Sequence, residues 1–457
     1  MLWKKLLGAG GLVGGDAPPA GGITFVNEVS GVVGGATTTT DVTLPASLAE
    51  GDVLVFMIAA DYNFATNEPT DPIDLDISRD GWFNLFASED SSLDGYIYGL
   101  VCGASPPTTV RVRGSAASVC DAPYVCQAWR GVDARVFDAR SSNDYTTGSS
   151  ASPNPPSVTT VTDDALVIAF MMLDDDDDTV STWPTGYTNQ IEKNTGNGLT
   201  SNSATVAMSS KLVTTAGAEN PAAYTMAGAG DQWVTCSIAL QPDQTEVSTW
   251  AITEVGREIY NSADAGTTFT LPTVLEDDYV LIFSGSAGGQ YGSGGTPMNS
   301  SGWTLLESSS GYRYVWGKVM GATPDTSVDI DDPLFSQGAA FTIVAFRGVD
   351  TTTPQDVAAS FSASATDTCP AITTATNNAL VIRYRDVFSN FSYGMSEWPI
   401  GYGGFNWSTA GQFGNGSFAL SLCYTQQDTA GSTGTETIRS SDTSGNDFSA
   451  TMALRPA

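Results

Sequence analysis

Carboxylates dominate the side chains that could carry chemistry, because the 457 residues include 50 Asp and Glu, 18 Lys and Arg, and no His. Without His, the chain cannot form a Ser-His-Asp triad, a Cys-His dyad or an imidazole metal site. A glycoside hydrolase needs only two carboxyl groups about 5 to 10 Å apart, yet no Glu recurs at a motif-like position in both halves of the chain. A Gly-x-Ser-x-Gly elbow and a Gly-rich phosphate loop with its Lys are also missing from the sequence. The sequence therefore predicts a protein that is not an enzyme and that needs no cofactor.

The densest acidic run, "LDDDDDTV", is the one stretch whose residue types suit a metal ion. It contains Asp174, Asp176 and Asp178, and calcium binds several oxygens gathered around one point. Alternating carboxylates in a loop supply such oxygens more readily than a contiguous run does, and the second half of the chain lacks the run. We interpret it as a solvated loop, with adventitious calcium at these three residues as the alternative.

Six cysteines could form disulfides or bind metal, but the sequence contains no CxxC spacing. Three of them align with apolar residues of the second half: Cys102 with Met320, Cys126 with Ile343, and Cys236 with Ala450. Such positions predict small buried apolar groups. A bridge from Cys120 to Cys126 or Cys102 remains the alternative.

The formal net charge of -32 excludes whole classes of partner. A chain this acidic is repelled by nucleic acid and by anionic lipid. Abundant Asp with few Lys is typical of proteins in salt water, where screening over about 8 to 3 Å lets like charges coexist. The composition therefore favours a marine or saline setting.

A tandem repeat organises the elements that must position these side chains. "TLPASLAEGDVLVF" matches "TLPTVLEDDYVLIF", "AWRGVD" matches "AFRGVD", and "WPTGY" matches "WPIGY" in the same order. The offset falls from 227 residues at the Leu-Pro pairs to 214 at the last Leu. This pattern predicts an N-terminal segment over residues 1–22 and two homologous domains over 23–242 and 249–457.

Each copy carries short apolar or alternating runs separated by Gly, Pro, Asn and Asp, which is typical of strands and turns. The sequence shows no long amphipathic helical pattern. We therefore expect an all-β protein made of two tandem β-sandwiches, of jelly-roll or lectin-like type.

Aromatic and charged landmarks that recur in both copies are expected to be structural. The Trp residues fit core or turn positions, with a sugar-stacking platform as the alternative. Each Arg could pin its turn by pairing with the Asp three residues later. The residues concerned are Trp82, Trp183, Trp303, Trp398, Arg130 with Asp133, and Arg347 with Asp350.

The N-terminal segment "MLWKKLLGAGGLVGGDAPPAGG" is basic, apolar and Gly-rich, unlike the rest of the chain. Its apolar stretch is too short to span a bilayer and too diluted by Gly for an ordinary signal core. We interpret it as a plug that docks into another subunit. The expected docking residues are Leu2, Trp3, Lys4, Lys5, Leu6 and Leu7.

Taken together, "LPASLAEGDVLVF", "GWTLL", "AFRGVD", "NALVI", "WPIGY" and the leader "KKLLGAGG" resemble domains of tail, fibre or surface proteins of marine tailed bacteriophages. The resemblance implies a non-enzymatic, homo-oligomeric virion protein that is assembled in the bacterial host cytoplasm. Its N-terminus would dock into other virion subunits, and its β-sandwiches would face outward for host attachment, with surface glycans as the candidate target.

Two other functions remain open at this point. A secreted or cell-surface carbohydrate-binding protein of a marine bacterium would carry residues 1–22 as a cleaved signal. A polysaccharide-degrading enzyme would depend on a carboxylate pair. Aromatic residues in loops that the repeat does not explain are the candidate receptor contacts: Tyr62, Phe64, Phe405 and Trp407.

Overall fold

The fold is taken from a computed structural model of the chain. It describes residues 22–34, 39–61, 73–75, 82–89, 93–103, 105–114, 121–140, 145–174, 179–196, 203–228, 231–243, 250–260, 268–286, 298–309, 313–330, 339–362, 367–389, 395–397, 399, 402–410, 417–440 and 448–457.

The protein is all-β, as the sequence predicts, and no helix occurs in the residues just given. The described part therefore has no helix that is long and apolar enough to cross a membrane. It divides into two compact units, one up to residue 243 and one from residue 250 onward. We call them the N-terminal and the C-terminal unit.

The N-terminal unit contains strands β1 to β18 in chain order. They are β1 (Thr24–Val33), β2 (Thr39–Thr43), β3 (Val53–Asp61), β4 (Ile73–Leu75), β5 (Phe83–Glu89), β6 (Leu93–Val101), β7 (Thr109–Gly114), β8 (Ala122–Arg130), β9 (Val132–Arg140), β10 (Thr146–Ser149), β11 (Val158–Thr159), β12 (Ala165–Leu173), β13 (Val180–Thr182), β14 (Thr188–Asn194), β15 (Thr205–Val213), β16 (Ala218–Glu219), β17 (Thr225–Met226) and β18 (Gln232–Pro242).

The C-terminal unit contains the remaining strands. They are β19 (Thr253–Tyr260), β20 (Thr268–Thr270), β21 (Tyr279–Ser286), β22 (Thr304–Ser309), β23 (Arg313–Val319), β24 (Ser327–Asp329), β25 (Ala339–Arg347), β26 (Gln355–Ser362), β27 (Thr368–Cys369), β28 (Ala379–Ser389), β29 (Met395–Glu397), β30 (Gly403–Ala410), β31 (Ser417–Gln427), β32 (Glu436–Thr437), β33 (Arg439–Ser440) and β34 (Phe448–Leu454).

Four large antiparallel sheets share one strand order. Sheet 1 runs β1-β8-β3-β6-β5 and sheet 2 runs β10-β18-β12-β15-β14, with β9 also paired to β18. Sheet 3 runs β19-β25-β21-β23-β22 and sheet 4 runs β26-β34-β28-β31-β30. If β9 and β10 are counted as one position, every sheet has the order first, fifth, second, fourth, third along the chain. Each unit therefore contains two copies of one module, over 22–130 and 132–243 and over 250–347 and 349–457.

Short strand pairs repeat around these sheets in the same way. The segment before the second strand pairs with the segment after the fourth strand, as β2-β7, β11-β16, β20-β24 and β27-β32. The segment before the third strand also pairs with a segment after the fourth strand, as β4-β7, β13-β17 and β29-β33. In the third module this pairing is a single bridge from Met298 to Ile330. Each module is thus a five-position sheet with a small additional layer.

Both faces of the central strands are buried, which explains their nearly continuous apolar runs. In β21, Leu281 and Phe283 belong to the core that joins sheets 3 and 4 and that contains Ile382 of β28. Val280 and Ile282 point the other way, into a second core that includes Phe269, Leu271, Val328 and Ile330 around the β20-β24 pair. Sheets 3 and 4 therefore pack face to face as a β-sandwich.

A turn with one left-handed residue leads into the second strand of every module. The four residues are Gly51 (φ 83°), Asp164 (φ 60°), Asp277 (φ 69°) and Asn378 (φ 60°). Each of them lies two residues before the point where the second strand begins to pair with the fifth strand. The first pairs are Val53 with Trp129, Leu166 with Leu240, Tyr279 with Phe346, and Leu380 with Leu454. Gly, Asp and Asn are the residues that tolerate this conformation best.

Candidate functional site

The recurring Arg residues bind an Asp at the start of the second strand. Arg130 donates from Nε and Nη2 to Asp52, at 2.8 Å for both hydrogen bonds. Arg347 binds Asp278 with the same two distances. Both Asp side chains are 1% exposed, whereas both Arg side chains are about half exposed. Each is a two-pronged ion pair that joins the fifth strand of the module to the turn before its second strand.

The expected partners Asp133 and Asp350 are therefore corrected to Asp52 and Asp278. Asp350 instead accepts hydrogen bonds from the backbone N–H groups of Thr352 and Thr353, at 2.8 Å each. These bonds lower the pKa of Asp350 below its usual value. Asp133 lies in β9, directly after the Arg-Gly-Val turn.

The second and fourth modules use a different buried Asp, which the sequence patterns did not indicate. Asp138 accepts from the backbone N–H groups of Val161 and Thr162 at 2.8 and 2.9 Å. Asp356 binds the backbone N–H of Ala375 at 2.6 Å. In these modules Ala165 and Ala379 occupy the places of Asp52 and Asp278. The sequence signal that could have revealed this arrangement is a Thr-x-Thr pattern before the second strand, Thr160 with Thr162 and Thr374 with Thr376. The second Thr of each pattern binds the buried Asp.

Arg383 of β28 is fully buried and also serves the fold. It donates to the hydroxyl of Tyr402 at 2.6 Å and to the carbonyls of Cys369 at 3.2 Å and Gly434 at 3.0 Å. These acceptors lie in the segments that cover sheet 4. A guanidinium can satisfy several carbonyls at once, and this one therefore ties the covering segments to the sheet.

The Trp landmarks occupy core or covered positions where they are described. Trp82 is 1% exposed. Trp183 packs against the core on the face of sheet 2 that the short strand pairs cover, which we call its outer core. Its ring meets that of Tyr224 edge to face, with 5.7 Å between the ring centroids. Trp303 packs against the outer core of sheet 3, with Lys318 Nζ 5.9 Å from its ring centroid. These contacts favour the structural interpretation over a sugar platform. Trp398 lies outside the described residues.

The five cysteines in the described residues are buried thiols outside any disulfide: Cys102, Cys126, Cys236, Cys369 and Cys423. For Cys102, Cys126 and Cys236 this is what the repeat alignment predicts. Burial, together with a smaller effect from the charge of Asp52, raises the pKa of Cys102 to about 12. These groups remain thiols at neutral pH, so they act as small apolar side chains. Cys120 lies outside the described residues.

Several predicted contact residues fall outside the described ranges. These are the six docking residues from Leu2 to Leu7, the candidate receptor contacts Tyr62 and Phe64, and Asp176 and Asp178 of the acidic run. Asp174 directly follows β12, and within the described residues no three His, Cys, Asp or Glu side chains cluster as a metal site. Phe405 and Trp407 lie in strand β30 rather than in a loop.

A polar cavity between sheets 3 and 4 is the most distinctive candidate site. Its lining residues are Phe283, Ser284, Glu307, Arg313, Tyr314, Val315, Tyr384, Asp386, Leu420 and Phe448. Arg313 forms an ion pair with Asp386, and its guanidinium lies 5.1 Å from the ring centroid of Phe448. The exposed fractions of the Arg313 and Asp386 side chains are 13% and 2%. Charges are thus held inside an otherwise apolar core.

The hydroxyl of Tyr384 lies at this cavity, fully buried and without a hydrogen-bond partner. Burial raises the pKa of Tyr384 well above its usual value, and the charges of Glu307 and Asp386 raise it further. Burial also raises the pKa of Glu307. The cavity therefore combines two carboxylates, one guanidinium and one neutral hydroxyl.

The N-terminal unit fills the equivalent positions with residues that carry no charge. Arg313 pairs with Gly285, and Gly95 pairs with Ala59. Since Gly285 and Ala59 occupy the same position of the second strand in their modules, Arg313 and Gly95 are equivalent. By the same criterion Met172 replaces Asp386. Phe86 replaces Glu307 and Phe170 replaces Tyr384. A Cβ added to Gly95 would lie 2.0 Å from the Met172 sulfur, so Gly95 packs directly against Met172. The equivalent residues of the C-terminal unit, Arg313 and Asp386, also contact each other, but as an ion pair.

Comparisons of the chain with protein-family models, with curated proteins and with solved structures found no match.

Proposed function

We propose that the chain is a non-enzymatic structural protein of a tailed-phage virion. Its N-terminal segment docks into other virion subunits, and its β-sandwich units are displayed in salty surroundings, where they can meet the host surface. The proposal combines the sequence resemblance with the way the fold uses its recurring residues.

The use of the recurring polar side chains is the observation that carries the proposal. Arg130 and Arg347 bind Asp52 and Asp278, and Arg383, which does not recur, binds covering segments of its own unit. These groups stabilise modules instead of converging on a substrate.

The aromatic landmarks give less support to the carbohydrate-binding alternative. A sugar platform needs a free ring face. Trp303 has Lys318 near its ring, and Lys318 is fixed by Asp325 and by the carbonyl of Ser301 at 2.5 and 3.0 Å. Trp82 is buried. Receptor binding would therefore depend on other residues.

Incorporation into particles tests the proposed docking. Leu6→Asp combined with Leu7→Asp places charge in the apolar docking segment, so we expect the variant to fold and to be lost from purified particles. The matched control is Leu212→Asp, because Leu212 is 40% exposed in β15. Quantitative mass spectrometry of particles measures the ratio of this chain to the major capsid protein. Equal incorporation of the docking variant and the control would refute docking through these residues.

A further inference from the structure

We propose that the polar cavity between sheets 3 and 4 binds one monovalent cation, sodium in salt water. Its oxygen ligands would be the carboxylates of Glu307 and Asp386 and the hydroxyl of Tyr384. All three residues line the same cavity. The inference concerns a site inside the C-terminal unit and is independent of the proposed virion role.

The charges of the cavity favour a cation. Glu307 and Asp386 supply two negative charges, whereas Arg313 supplies one positive charge that is already directed at Asp386 and at the ring of Phe448. Glu307 forms no ion pair within the described part of the chain. Glu307 is half-buried, so water solvates its charge only in part, and one monovalent cation would balance it.

The Tyr384 hydroxyl independently points to an occupant. It is buried, has no hydrogen-bond partner, and lies at the cavity. Buried polar groups almost always have a partner. Because burial and two nearby carboxylates keep this hydroxyl protonated, its oxygen is a neutral ligand of the kind that hard cations accept.

The size of the cavity selects the class of ion. The cavity has a volume of about 10 Å³, which is room for one occupant the size of a water molecule. Calcium takes about six to eight oxygen ligands, more than two carboxylates and one hydroxyl supply here. Large organic cations do not fit. A small monovalent ion is the occupant that matches both the charge and the space.

The N-terminal unit provides an internal comparison for this site. Phe86, Gly95, Phe170 and Met172 take the places of the four polar residues, so the same fold closes this region without charge. The polar set is therefore not required by the architecture. It is an added feature of the C-terminal unit, as expected for a binding site.

Thermal unfolding of the full chain tests the proposal at equal ionic strength in sodium chloride and in tetramethylammonium chloride. Equal ionic strength matches the general screening of the acidic surface. Sodium at about ten times its dissociation constant should raise the unfolding midpoint by about 3 °C relative to tetramethylammonium. Sodium-23 line broadening on the same samples reports binding directly.

Three variants assign the effect to the cavity. Glu307→Gln removes the uncompensated charge, and Tyr384→Phe installs the residue of the equivalent position. Both should lose the difference between the two salts. Glu276→Gln removes an exposed carboxylate of the same unit and should keep it.

Two results would overturn the proposal. The first is one midpoint for both salts in the unaltered chain, as expected of a cavity that holds only water. The second is a sodium effect that survives in the Tyr384→Phe variant, a result that can be obtained even if the Glu307→Gln variant does not fold.

Discussion

The buried Asp residues of the first and third modules show how single side chains hold a turn. Asp278 binds Arg347 through both of its oxygens and also accepts the backbone N–H of Leu275 at 2.7 Å. Asp52 makes the same contacts with Arg130 and with the N–H of Ala49. Each carboxylate therefore organises a turn and neutralises a strand-end Arg.

Removing this carboxylate should destabilise the C-terminal unit. Asp278→Ala leaves a backbone donor and a guanidinium without their partner, so we expect the free energy of unfolding to fall by about 2 to 4 kcal/mol. Urea denaturation of the full chain, followed by far-UV circular dichroism, measures the loss.

The control for Asp278→Ala is Asp41→Ala. Asp41 pairs with Arg111, but both side chains are more than half exposed, so solvent screens the pair and little change is expected. If Asp278→Ala lowered the free energy of unfolding no more than the control does, the pair of Asp278 with Arg347 would not be stabilising.

Sequence reasoning identified the Arg residues of these pairs but not their partners. Repetition singled out Arg130 and Arg347, and the nearest acidic residues in the sequence were Asp133 and Asp350. The actual partner of Arg130 is 78 residues away. Contacts over such distances depend on strand order, which spacing within a motif does not reveal. The polar cavity was missed for the same reason, because its residues come from six different strands.

At the level of elements, the Arg-Gly-Val-Asp turn depends on a glycine that approaches a neighbouring chain segment. Gly348 has φ +85°, and a Cβ there would lie 2.1 Å from the carbonyl oxygen of Ala251. Only a residue without a side chain fits both the conformation and the space. The turn lets the chain leave sheet 3 and begin sheet 4.

Gly348→Ala should therefore destabilise the C-terminal unit by about 2 kcal/mol or more, since it adds both backbone strain and a clash. Differential scanning calorimetry of the full chain measures the shift in midpoint. Gly321→Ala is the matched control, because nothing lies within 4 Å of a Cβ at Gly321. Equal midpoints for the two variants would contradict this explanation of the turn.

The strands were predictable because their apolar runs have strand length, and the all-β class is confirmed. The division of each unit into two modules was not visible in the sequence. Equivalent strands of the two modules in one unit bury different residues, such as Phe56 and Ile58 in β3 against Ala169 and Met171 in β12. Core packing accepts many apolar combinations, so strand order repeats more clearly than residue identity.

Strand pairing also adjusts the alignment of the two halves. Ungapped matching places Phe56 opposite Phe283, whereas pairing with Cys126 and with Ile343 makes Phe56 equivalent to Ile282. A shift by one residue moves a side chain to the other face of the sheet. Pairing therefore assigns faces that sequence matching alone would exchange.

Across the whole molecule, the net charge of -32 is compatible with folding because few carboxylates are buried. The buried acidic residues of the described part are Asp52, Asp138, Asp278, Asp356 and Asp386. Each binds a backbone N–H, an Arg, or both, within its own unit. The other acidic side chains whose burial the structure describes are partly or fully exposed. An anionic surface of this kind is suited to salt water, where like charges are screened.

The most direct test of the virion assignment is the mass spectrum of this chain in purified phage particles from a producing culture. The account predicts that the chain co-purifies with particles through a density gradient and retains residues 1–22. A protein found only outside the particle fraction, in a mature form that begins near Gly21, would contradict it and favour a secreted protein.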